Sequence, residues 1–263
     1  MESMAFVVAG FFVGAVVGLT GVGGGSLMTP LLIFFFGVKP YLAVGTDLLF
    51  AAVTKAGGSV SLARRKLVDW PVVGLLAAGS VPAALLTLWA IRRHGATDPA
   101  LQHLMTSVLG GALLLTAAAT FYKALAGKAQ PRQLPTAERA AAARPRHWAL
   151  PVLLGAVIGS LVTLTSVGAG AIGVVVLMLL YPRLPLPRIV GADIAHAVPL
   201  TLVAGLGHAA IGSVDLRLLG LLLAGSLPGI WLGSRLMTHT PERLVRTLLA
   251  GLLGYAGLKL VWM

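Results

Sequence analysis

The sequence predicts an all-α integral membrane protein, with ten hydrophobic segments arranged as two inverted-topology five-segment repeats. Each repeat starts with a broken or re-entrant glycine-rich helical hairpin. Three observations predict this. The 263 residues are 57% hydrophobic and only 11% charged, whereas soluble domains carry about 25% charged residues. The apolar runs are separated by short charged or turn-forming stretches. The two halves of the chain also repeat one another in order.

The apolar runs fall at residues 4–20, 27–37, 40–63, 70–91 and 101–122, then at 148–164, 171–181, 189–211, 216–237 and 244–262. A helix needs about 20 residues to cross the hydrocarbon core. The second and seventh runs, 11 residues each, are too short and pair with their predecessors as broken hairpins. The stretch 123–147 changes character, with Lys123, Lys128, Arg132, Arg139, Arg144 and Arg146 among Pro131, Pro135 and Pro145. It reads as a solvated linker. The organisation is therefore a first transmembrane repeat at 1–122, a cytoplasmic basic linker at 123–147 and a second transmembrane repeat at 148–263. The amino-terminal run lacks a preceding basic region and a clear cleavage site, so it reads as retained rather than as a signal peptide.

The repeat is seen by sliding the sequence on itself by 146 residues, which makes 14 of the 39 positions from 44 to 82 identical. Val44-Gly45-Thr46-Asp47 meets Val190-Gly191-Ala192-Asp193, and Ala78-Gly79-Ser80-Val81-Pro82 meets Ala224-Gly225-Ser226-Leu227-Pro228. With one residue of drift, Thr20-Gly21-Val22-Gly23-Gly24-Gly25 matches Thr165-Ser166-Val167-Gly168-Ala169-Gly170. Three crossings plus one hairpin per half would turn the second half upside down. The positive-inside rule tests that arrangement. If Arg64-Arg65-Lys66 faces the cytoplasm, 14 of the 20 Lys and Arg residues lie on that side. Lys39, Arg92, Arg93, Arg217 and Lys259 lie opposite, Lys55 falls within a segment, and both termini are expected outside the cytoplasm.

Inverted repeats with interrupted helices are how many secondary transporters build a site near the bilayer midplane. The candidate substrate-binding residues are therefore Gly21, Gly23, Gly24, Gly25 and Ser26 in the first loop. Thr165, Ser166, Gly168 and Gly170 are their counterparts in the second. Free N–H groups at a helix start attract anions, and Ser26 is placed to cap the helix that follows. The competing reading is that these glycines only permit close helix packing. Asp47, about seven residues into its segment, and Asp193, its repeat in the other half, are intramembrane carboxylates; they read as proton carriers or as braces for the hairpins. Lys55 would offer positive charge to an anion, or is held by internal pairing or snorkelling. His196, one turn beyond Asp193, is a proton relay or a packing residue. His208, Trp70, Trp148 and Trp262 read as markers of the membrane interface. Gly110-Gly111 and Gly251 offer small faces for packing within or between subunits, so a homo-oligomer is compatible.

The absence of cysteine excludes disulfides and thiolate sites. No His-Glu-x-x-His run, Gly-x-Ser-x-Gly elbow or phosphate-binding loop occurs. Neither a metal, a cofactor, an enzyme activity nor nucleic-acid binding is expected, and the net charge of +12 reads as membrane topology.

The glycine hairpin, Val-Gly-Thr-Asp at 44–47 with its echo at 190–193, and the Ala-Gly-Ser-x-Pro pair resemble the TauE/SafE sulfite-exporter family of bacterial inner-membrane permeases. The resemblance covers nearly the whole chain. It implies a ten-segment permease in the inner membrane that moves sulfite, thiosulfate, organosulfonates or related small anions, often outward. Proton coupling and rocking of one half against the other are the expected mechanism. A passive anion channel and a non-transporting membrane scaffold for a sulfur-metabolising complex are the alternatives. Ser166 stands where the first half has Gly21, and Thr201 where it has Lys55, so a site built from both halves would be asymmetric.

Overall fold

The structure is a computed structural model in which residues 2–20, 25–125, 148–168, 170–236 and 242–262 are described. Gly21, Gly23 and Gly24 of the first loop lie outside that set, as do residues 126–147 of the linker. The described residues form ten helices and no strand: α1 (Glu2–Thr20), α2 (Gly25–Phe36), α3 (Pro40–Arg64), α4 (Trp70–His94), α5 (Pro99–Leu125), α6 (Ala149–Thr165), α7 (Ala171–Leu180), α8 (Leu186–Ala210), α9 (Leu216–Leu236) and α10 (Glu242–Val261).

The helix limits follow local chemistry. Pro40, Trp70-Pro71 and Leu186-Pro187 open α3, α4 and α8 with a proline in the first two positions, where its missing N–H costs nothing. Lys66 and Gly212, 146 residues apart, turn the chain after α3 and α8 with φ of 56° and 74°. α2 is described from Gly25, with Ser26 in its first described turn. Pro30 is interior to the helix, where it removes a hydrogen bond. α5 runs to Leu125, three residues into the stretch read as linker.

Helices α4, α5, α8 and α9 contain apolar windows long enough to cross a membrane. α3 is equally long at 25 residues, about 37 Å of rise, but carries Thr46, Asp47, Thr54 and Lys55. The outer surface is studded with exposed apolar side chains, among them Leu86, Leu115, Leu153, Leu179, Leu248 and Leu252. An apolar surface of this extent suits lipid rather than water. Trp70, Trp148 and Trp262 are 62%, 71% and 85% exposed, consistent with side chains at an interface.

The helices pair across the two halves. α1 lies along α9, with Gly10, Gly14 and Gly18 on one side and Gly225, Gly229 and Gly233 on the other. A Cβ on any of the six would overlap the partner's backbone, as Gly10 with the Leu222 carbonyl and Gly14 with that of Ser226. α6 lies along α4 in the same manner, with Gly155 on the Leu76 carbonyl, Gly159 on that of Ser80 and Gly79 on that of Val152. The second seam repeats the first at the offset found in the sequence. At the centre α3 crosses α8, and Gly45 against the Ser213 carbonyl is matched by Gly191 against that of Leu67. α5 packs on α10 through Gly110 and Gly257. Gly111 and Gly251 instead meet nothing within 4 Å, so neither supports packing inside the chain.

Charges gather at the two ends of this bundle. At one end Arg188 reaches both carboxylate oxygens of Asp69 at 3.1 Å and donates to the Lys66 carbonyl. At the other, Lys39, Asp215 and Arg217 line a cavity of about 460 Å³ with Ser3 and Tyr41. The Lys259 ammonium lies over the Phe34 ring near the end of α2.

Candidate functional site

The two short helices seat against the central pair, α2 on α3 and α7 on α8, and this is what positions the buried polar groups. Asp47 is fully buried about two turns into α3, and Thr29 of α2 donates its hydroxyl to Asp47 Oδ2 at 2.5 Å. In the other half the Asp193 carboxylate fills the space that a side chain on Gly173 of α7 would need. Each carboxylate thus rests on the short helix of its own half.

The second loop is held by its own backbone chemistry. Ser166 ends α6 in the left-handed region with φ of 60°, a conformation uncommon for a residue with a side chain. Gly168 and Gly170 take φ of 130° and 135°, values that glycine alone adopts readily. The Thr165 hydroxyl is engaged locally, donating to the Leu161 carbonyl at 2.7 Å and accepting from the Val167 N–H at 3.1 Å. The Ser166 hydroxyl, only 4% exposed as a residue, is turned toward Asp47.

Lys55 is 5% exposed. It interacts electrostatically with Asp193 first and with Asp47 second, and His196 lies within the same field. The fold therefore brings Asp47, Lys55, Ser166, Asp193 and His196 into one buried cluster drawn from both halves. Gly168 and Gly170 belong to the loop that borders it. Gly25 and Ser26 belong to the start of α2, and the rest of the first loop lies outside the described residues.

Two placements differ from the sequence reading. His208 does not present its ring to the surroundings as an interface marker would; it is fully buried, with Nε2 3.0 Å from the Thr163 carbonyl and its Cβ against Gly45. The last turn of α8 is covered by α6 and α3, which a position near a segment end does not reveal. His196 has a partner that the sequence did not suggest. Ser80 Oγ of α4 lies 2.7 Å from His196 Nε2, and both residues are buried. Ser80 had served only as an alignment marker; a hydroxyl repeated at Ser80 and Ser226 beside a proline was the available signal. Ser80→Ala is expected to lower stability by about 1–3 kcal/mol, because it strands a buried ring nitrogen. A lowered thermal midpoint of the purified protein would register it.

A multi-pass helical membrane protein with a buried cluster of two carboxylates, an ammonium and hydroxyls belongs to the class of membrane transporters. The chain is a member of the sulfite exporter TauE/SafE family, whose description matches residues 6–260. It is 38% identical over 268 aligned residues to the probable membrane transporter protein YjnA of Bacillus subtilis (strain 168), covering 98% of this chain and all of the relative. It is 26% identical over 263 residues to the probable membrane transporter protein YdhB of the same organism, with 98% and 100% coverage. No solved structure matches it.

Proposed function

We propose that the chain is a secondary transporter moving a small sulfur-containing anion, such as sulfite, thiosulfate or an organosulfonate, outward across the inner (plasma) membrane. The observation that carries this reading is Lys55, a buried ammonium within α3 and in the field of two carboxylates. A charge at such depth marks a substrate or ion pathway by default. Lys55 would attract the anion, and the N–H groups at the starts of α2 and α7 would add donors. Gly21, Gly23, Gly24, Gly25 and Ser26 would line one side of the site, and Thr165, Ser166, Gly168 and Gly170 the other.

In this reading 1–122 and 148–263 are transmembrane repeats of inverted topology, joined by a cytoplasmic linker, with both termini outside. The reciprocal glycine contacts support the repeat, since the α1–α9 seam has its counterpart in α4–α6, and Gly45 on Ser213 has its counterpart in Gly191 on Leu67. They also revise the motion expected. α1 packs on α9 and α4 on α6 with backbone contact across halves, which favours motion of these pairs over separation of the halves as rigid bodies. The units that alternate access are cross-half pairs, α1 with α9 and α4 with α6, moving about the α3–α8 crossing.

Flux of radiolabelled sulfite into proteoliposomes tests the proposal. Saturable uptake, competed by thiosulfate or organosulfonates, is expected. Flux that rises linearly with substrate indicates a passive channel. If a panel of small sulfur oxyanions and sulfonates neither moves nor binds, the substrate assignment falls.

A further inference from the structure

The two carboxylates of the central cluster sit in unlike surroundings. Asp193 rests on Gly173 and is the first electrostatic partner of Lys55. Asp47 also has hydroxyls: Thr29 bonds its Oδ2, and Ser166 faces it from the end of α6. The repeat partners of Thr29 and Ser166 are Val174 and Gly21, neither of which bears a hydroxyl. Lys55 acts on both carboxylates, more on Asp193 than on Asp47, and Asp47 has the two hydroxyls in addition.

The set of oxygens around Asp47 is incomplete as it stands. Asp47 Oδ1 and Ser166 Oγ find no hydrogen-bond partner among the described residues, although both residues are more than nine-tenths buried. Buried polar atoms are rarely left so, and each calls for an explanation. Ser166 also closes α6, where the last carbonyls lack helical partners and the helix dipole is negative. Two hydroxyls, one of them at a helix carboxyl end, thus act on the Asp47 carboxylate. Half-helix carboxyl ends and carboxylates serve coupling cations in membrane transporters.

We propose that Asp47, Ser166 and Thr29, with the carboxyl end of α6, form a sodium site that couples cation movement to the anion. The inference rests on the anion-transport reading above. Charge balance supports it. Lys55 contributes one positive charge against two carboxylates, the starts of α2 and α7 add roughly +0.5 each, and the carboxyl end of α6 adds roughly −0.5. The sum is about −0.5, which repels a monoanion. One Na⁺ at Asp47 makes the cluster positive by about half a charge. The anion then binds well only with the cation in place.

The test uses the purified full chain in detergent, with NaCl titrated against choline chloride at constant ionic strength. A saturable, sodium-specific rise in thermal midpoint is expected. In Ser166→Gly the half-saturating sodium concentration is expected to increase at least tenfold. Glycine keeps the left-handed turn, so this variant should fold. Asp47→Asn should abolish the sodium response, and Thr116→Ala, in α5, should leave it unchanged. No sodium-specific rise in the parent protein, or the same midpoint response in Ser166→Gly, would overturn the site. Sulfite flux then separates the two readings. A sodium response without flux of any sulfur anion supports the cation site and defeats the anion assignment. Flux driven by a proton gradient and indifferent to sodium supports the anion assignment and defeats the sodium site.

Discussion

Gly79→Leu is expected to prevent recovery of folded protein, while Gly74→Leu in the same helix should be recovered and melt as the parent does. A Cβ at Gly79 would overlap the Val152 carbonyl of α6, and the next atoms along that backbone leave no room for it to shift. At Gly74 a Cβ meets nothing within 4 Å, and the position is exposed. Overpacking a well-filled interior costs about 1–3 kcal/mol where side chains can adjust, and more where they cannot. Here the obstacle is main chain on a helix that is itself packed, so the larger outcome is expected. Gly225→Leu, at the matching position of the α1–α9 seam, should fail in the same way, because it meets the Val7 carbonyl. Size-exclusion profiles and thermal midpoints of detergent extracts would check all three. A monodisperse Gly79→Leu protein with an unchanged midpoint would refute the seam as a rigid contact.

Lys55→Met is expected to reduce sulfite flux by at least tenfold and to destabilise the protein by about 3–5 kcal/mol, since removing one member of a buried charge set leaves the others uncompensated. The side chain is nearly the same length, so lost packing is a small part of the effect. The double variant Lys55→Met, Asp193→Asn should regain much of the stability and none of the transport. That split separates the two duties of the ammonium, balancing Asp193 and attracting the anion. Thermal midpoints and proteoliposome flux measured on both variants decide it. Flux at the parent level in Lys55→Met would remove the residue from the substrate site.

The helices were legible because local chemistry marks them. The run at 40–63 became α3 at Pro40–Arg64, and the run at 216–237 became α9 at Leu216–Leu236, with prolines and turn residues setting the ends. The two aspartates and Lys55 were legible because a charge inside an apolar run is conspicuous. Thr29 was not, because a threonine in a short apolar helix signals nothing until an aspartate from another helix meets it. Ser80 and His208 escaped for the same reason, since their roles depend on which helix lies opposite. The seam glycines Gly10, Gly14 and Gly18 were not singled out either, because their role depends on the backbone of the helix opposite.

By itself, the sequence determined the membrane-embedded helical class, the internal repeat with its hairpins, and the family resemblance. Hydrophobicity, periodicity and duplicated motifs are properties of neighbouring residues and of aligned copies. Only the tertiary structure decided that α1 belongs with α9 and α4 with α6, and that Asp47 keeps hydroxyl company while Asp193 shares Lys55. Those pairings come from contact between backbones and side chains more than a hundred residues apart, and the shape of the whole bundle selects them.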